Sequence, residues 1–154
     1  MQTNDEIILN SLRNSVSQIL SDTQNIILCS TDSASESIQK FIVARGYGEK
    51  VKALSLSTGI PESTFSKIKY NKDYKFEHRT LIALLIELNV DFSTSMSILQ
   101  KAGLSLGNSK EHIVYKVLLE KHDSVDIPTA NMLLKENHLK ELAGHTREKH
   151  TGRA

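Results

Sequence analysis

The stretch from Val51 to Asn71 constrains this chain more than any other part of it. Two short apolar segments flank Thr58-Gly59-Ile60-Pro61, and neither is long enough for more than a short helix. Leu54 anchors the first segment, and Ser55 is small where a second helix would cross it closely. Gly59 supplies the positive φ that a tight turn between helices demands, and Ile60 re-enters the core. Pro61 presets the first turn of the second helix, Phe65 and Ile68 lie three apart on its buried face, and Asn71 can tolerate a left-handed conformation at its end. A helix-turn-helix of this kind, running from about Lys50 to Asn71, leaves the opposite face of residues 61–70 exposed.

Elsewhere the pattern is also helical. Two prolines, four Tyr and four Phe in 154 residues are too few for a β-rich sandwich, and Leu and Ile recur at spacings of three and four. The expected fold is all-α. Ile8, Leu12, Val16, Ile19 and Leu20 form one stripe on a helix from about Asp5 to Ser21, with Asn4 as N-cap. The polar run Ser30–Ser37 is either a linker or the capped start of the next helix. Ile38, Phe41, Ile42 and Val43 give that helix, which ends at Gly46, and a short helix over Glu49–Ser57 follows. Leu81, Leu84, Leu85 and Leu88 make another; Asp91 caps a further one, with Met96, Ile98 and Leu99 inward and Gly103 at its end. Beyond it, Ile113, Val114, Val117 and Leu118 mark a helix, and Pro128 opens a last one containing Met132, Leu133 and Leu134. Residues 144–154 carry no core pattern and are expected to be a flexible tail.

Charge balances over the chain but not along it. Residues 1–38 hold one basic and five acidic side chains, 39–79 nine and four (net +5), and 80–154 nine and nine. The positive block coincides with the helix pair, where it would serve phosphate contacts. On the exposed face of residues 61–70, Glu62, Ser63, Ser66 and Lys67 are the side chains a major groove would meet first, because base edges are read mainly by the early turns of such a helix. Lys67 can donate to guanine, Ser63 and Ser66 allow close approach, and Glu62 can only accept, for instance from cytosine N4. Lys50, Lys52, Lys69, Lys72 and Lys75 would touch phosphates, with hydroxyl contacts from Tyr70 and Tyr74.

On these residues the stretch resembles the lambda-repressor-like, xenobiotic-response-element (XRE) family of bacterial and phage regulators. The matching elements are Leu54-Ser55, Thr58-Gly59-Ile60, Ser63-Thr64-Phe65-Ser66-Lys67-Ile68 and Leu81–Asp91, and the likeness runs from roughly Ile38 to Gly103. It implies a five-helix helix-turn-helix domain at 38–103, preceded by an N-terminal helix and linker at 1–37 and followed by a helical extension at 104–143, as in longer members from Firmicutes. It also implies a transcriptional regulator, most simply a repressor, that binds double-stranded DNA as a homodimer. Val51 stands where the family often has glutamine, Pro61 where Ser or Thr is usual, and Asn71 where glycine is usual. Each departure touches a DNA-facing position and spares the scaffold.

Other readings stay open. The helix pair is also what a phage or mobile-element module would need to bind a host or partner protein, and the apolar pattern of the C-terminal helices suits core packing, a dimer surface or an effector or partner site. The N-terminal stripe suits either packing against the domain or a dimer contact. The six histidines show no metal-site spacing, no phosphate loop or nucleophile elbow is present, and Cys29 has neither a partner cysteine nor an identifiable base. The expectation is a non-enzymatic, cofactor-free and metal-free protein of the cytoplasm, with neither a secretory signal nor a membrane span.

Overall fold

Leu81, Ile82, Ala83, Leu84, Leu85 and Ile86 are consecutive and all buried, so the helix that carries them is enclosed on every side. In the computed structural model, which describes residues 3–24 and 31–142, this helix lies within the apolar core. The helices among the described residues are α1 (Asn4–Gln24), α2 (Ala34–Ala44), α3 (Val51–Thr58), α4 (Glu62–Tyr70), α5 (His78–Glu87), α6 (Phe92–Lys101), α7 (Lys110–Glu120) and α8 (Ile127–Glu136). No strand occurs among those residues, and the fold is all-α. Side chains are described over 3–17 and 31–142; Ile19, Leu20, Cys29, His145, His150 and the expected tail at 144–154 lie outside that set.

Helix α5 touches α3 on one side and α7 and α8 on another, while α2 packs on α4 and α6. One apolar core therefore runs from Ile38 through Leu54, Phe65 and Leu99 to Tyr115, Leu134 and Leu142. Polar ties reinforce it over long sequence separations. The Arg79 guanidinium donates to the Glu141 carbonyl at 2.8 Å, and the Leu142 amide donates to Asn131 Oδ1 at 2.6 Å. The C-terminal helices thus share their interior with the preceding ones.

Helix starts follow side-chain chemistry. Ser33 forms a capping box with Glu36, so the serine-rich run is the capped start of α2 and not a linker. Asp91, Ser109 and Asp126 cap α6, α7 and α8, and Pro128 lies in the first turn of α8. At α1 the expected cap moves by one residue. Thr3 Oγ1 accepts from the Glu6 amide at 3.1 Å and the Glu6 carboxylate accepts from the Thr3 amide at 3.3 Å, which leaves Asn4 inside the helix.

Several apolar residues fall outside the core. Ile113, Val117 and Met132 are 49%, 45% and 65% exposed, because Tyr115, Leu119 and Ala130 take the inward positions of their helices. Val43 is exposed on α2 in the same way, and Met96 is only half-buried. The largest departure is α1. Ile8, Leu12 and Val16 are 58%, 58% and 55% exposed, so these three members of the stripe do not pack on the described body.

Tyr115 is fully buried, and its hydroxyl has no hydrogen-bond partner among the described residues. Burial, then the Glu111 carboxylate, push its phenol up to about 12. A group whose folded pKa is raised supports the fold below its unfolded value of 10.0, and that support is lost as pH climbs towards the folded one. Tyr115→Phe is expected to leave stability near pH 8 unchanged or about 1 kcal/mol higher, since an unpaired buried hydroxyl is removed. It should also flatten the loss of stability above about pH 10, which thermal unfolding across the alkaline range will show.

Candidate nucleic-acid interface

The angle between α3 and α4 is set by a few short side chains. Helix α3 ends at Gly59, whose φ of 77° is left-handed and whose amide donates to the Ser55 carbonyl at 2.8 Å. A side chain there would meet the steric cost that glycine escapes. Two buried hydroxyls complete the turn. Ser55 Oγ donates to the Ile60 carbonyl at 2.6 Å, while Thr58 Oγ1 donates to the Leu54 carbonyl at 2.7 Å and accepts from the Ile60 amide at 3.2 Å. These bonds satisfy backbone groups that a buried turn would otherwise strand. A third hydroxyl, on Ser35 of α2, donates to the carbonyl of Ile68 near the end of α4. Leu54, Phe65 and Ile68 are each at most 2% exposed, so α4 is pinned along one side only.

Two details differ from the expected turn chemistry. Pro61 is extended at ψ 145° and occupies the N-cap position, so α4 begins at Glu62. The fixed proline φ serves the approach to the helix here, not its first turn. Asn71 is also extended, at φ −123°, and not left-handed. Its Oδ1 accepts from the Asp73 amide at 3.0 Å, an Asx turn that redirects the chain without positive φ.

The pinned side leaves the opposite one in solvent. Glu62, Ser63, Ser66 and Lys67 are all exposed, and they share the outer face of α4 with Lys69 and Tyr70. Tyr70 is 79% exposed, with the Lys69 ammonium 5.3 Å from its ring centre. Lys50, at the N-cap of α3, and Lys52, in its first turn, are exposed, as are Lys72 and Lys75 beyond α4. None of these six lysines forms an ion pair among the described residues. Tyr74 differs from Tyr70: it is half-buried, packs edge-on against Phe76 at 4.9 Å, and its phenol is raised by burial and then by Glu77. It belongs to the scaffold more than to the exposed face.

Helix ends add to the electrostatics. Side chains cap the first turns of α2, α6, α7 and α8, but none caps α3 or α4. Amide groups at an uncapped N-terminus are donors for an anion such as phosphate, and the helix dipole favours its charge. Lys67 and Lys69 in the last turn of α4 also complement the negative end of that dipole.

No cluster of three or more His, Cys, Asp or Glu is placed to hold a metal among the described residues. His78 and His112 stack at 4.8 Å, but both are engaged with backbone: His78 Nε2 lies 3.1 Å from the Ser105 carbonyl, and His112 Nδ1 accepts from the Gly107 amide at 2.8 Å. No described helix is long and apolar enough to cross a membrane. Sequence reasoning missed the hydrogen-bonding tasks of Ser35, Ser55 and Thr58. Their hydroxyls could be flagged as small and polar, but their acceptors are set by the tertiary fold. Compared with protein-family models, curated proteins and solved structures, the chain matches none.

Proposed function

We propose that the chain is a sequence-specific DNA-binding transcriptional regulator of the lambda-repressor-like helix-turn-helix kind, most simply a repressor, with α4 as its reading head. The observation that carries this reading is the division of α4 into a buried Phe65–Ile68 side and an outer side of short polar and lysine residues. A helix held along one edge, with small side chains and a cation on the other, has the shape and chemistry to enter a major groove. Lys67, Ser63, Ser66 and Glu62 meet base edges. Lys50, Lys52, Lys69, Tyr70, Lys72 and Lys75 meet phosphates and set the docking angle. A homodimer presents two such helices about 34 Å apart to a roughly palindromic site.

Lys67→Ala tests the assignment of roles. It is expected to weaken binding to a preferred site, selected from a genomic pool, by about 1–3 kcal/mol while scarcely changing binding to random DNA. Equal loss on both would make Lys67 a phosphate contact and not a base reader.

A second reading has its own support. Ile113 and Val117 on α7 and Met132 on α8 are exposed apolar side chains away from α4. They suit a contact with a host or partner protein, either as the chain's main task or beside DNA binding. A chain acting only through them would leave its affinity for DNA fragments weak and indifferent to changes in α4.

A further inference from the structure

We infer that α1 is the seam through which two copies of this chain associate, each burying the Leu9, Leu12 and Val16 edge of its helix against the same edge of the other. Every side chain described on α1 from Asn4 to Ser17 is exposed except Asn10, which is half-buried, so no described residue of the body covers this length of the stripe. The helix has little reason to form alone. It holds three Asn, four Ser and no Ala, a poor composition for intrinsic helicity, and helices in water draw most of their stability from packing an apolar face. The chain therefore folds α1 against something that its own described residues do not supply.

The spacing suits a second helix of the same kind. Leu9, Leu12 and Val16 follow one another at three and four, and Ile19 continues the series in the sequence, which is the alternation of a two-helix seam. An identical surface on each partner is what a two-fold contact requires. Ile8 at 58% and Leu9 at 44% exposure widen the apolar strip beside Leu12 and Val16. These four present about 100 Å² each, or about 800 Å² across two copies, and the polar atoms that flank them between Asn4 and Ser17 bring the total towards the roughly 1,000 Å² of a weak, concentration-dependent interface. A lipid surface fits less well. Helices that lie on membranes carry Lys and Arg on the polar face, whereas α1 has Asp5, Glu6 and Asp22 against a single Arg13.

The choice of a second copy rests in part on the DNA-binding reading, since a two-fold site needs paired reading heads. The test separates the two. Sedimentation velocity of the full chain over a concentration series is expected to show twice the 17.2 kDa chain mass. Leu12→Glu should shift the species to the single-chain mass and remove the helical circular-dichroism signal of α1, with the thermal transition of the body unchanged. Val16→Glu should do the same, and Val117→Glu on α7 should remain dimeric. The inference is overturned by a wild-type chain that stays monomeric, by a Leu12→Glu and Val16→Glu pair that stay dimeric, or by Val117→Glu alone dissociating the dimer. It is likewise overturned if the wild type is monomeric and Leu12→Glu abolishes co-sedimentation with anionic vesicles. A monomeric wild type that still shifts DNA would sink the seam and spare the DNA reading; a dimer that binds no DNA would do the reverse.

Discussion

Phe65→Ala is expected to lower the stability of the body by about 3–5 kcal/mol, the cost of emptying a large buried aromatic position that cannot fully collapse. Phe65 is 2% exposed and lies on the pinned side of α4, which packs on both α2 and α3. For a chain of this size the loss corresponds to about 10 °C or more in Tm, a large share of the 5–15 kcal/mol that separates most domains from unfolding. DNA affinity should fall with it, on preferred and random sequences alike, because the whole outer face loses its fixed angle. Lys67→Ala, on the opposite side of the same helix, should move Tm by no more than about 0.5 kcal/mol's worth while altering sequence preference. The contrast separates what holds α4 from what α4 presents.

The second large effect is ionic. If Lys50, Lys52, Lys69, Lys72 and Lys75 each meet a phosphate, counterion release makes log K fall with log salt at a slope near −0.9 per phosphate neutralised. Five such contacts imply a loss of affinity of roughly 500-fold between about 50 and 200 mM salt. A mobility-shift titration on genomic fragments at two salt concentrations measures it. Replacing both Lys72 and Lys75 with alanine should reduce the slope by roughly 2 and leave sequence preference intact. These two lysines are exposed and lie beyond the end of α4, so their loss does not disturb its packing. Binding that is flat in salt would remove the phosphate-contact role from the lysine face and favour the protein-contact reading.

Much of the frame around α4 is legible in the sequence because it rests on local rules. Phe65 and Ile68 announce their burial by three-residue spacing, Leu54 anchors the apolar segment before them, and Gly59 stands where a φ of 77° favours glycine. The exposure of Glu62, Ser63, Ser66 and Lys67 follows directly, since a helix buried along one stripe exposes the rest. Where a residue has two local options, sequence alone decides less well. Asn71 can adopt left-handed φ or form an Asx turn, and it takes the turn. Ser33 can sit in a linker or cap a helix, and Glu36 three residues on tips it to the cap.

Long-range features are the least legible. The Ser35 hydroxyl meets the Ile68 carbonyl 33 residues away, a pairing that no local pattern encodes. Ile113 and Val117 carry as strong a helical pattern as Leu118, yet Tyr115 and Leu119 claim the interior. The stripe on α1 has the periodicity of a packed helix, but periodicity names a face and not the surface that covers it. The all-helical class was readable because prolines and aromatics are few and apolar spacings are helical throughout. What α4 binds depends on chemistry outside the chain, which only a ligand reports.

The most direct measurement is a ¹⁵N NMR titration of the full chain with a selected DNA fragment. The proposed role of α4 predicts shift changes or broadening concentrated on Lys50–Lys52, Glu62–Tyr70, Lys72 and Lys75, with Ile113, Val117 and Met132 unmoved. Spectra that do not respond to DNA, or that respond only on α7 and α8, would contradict it.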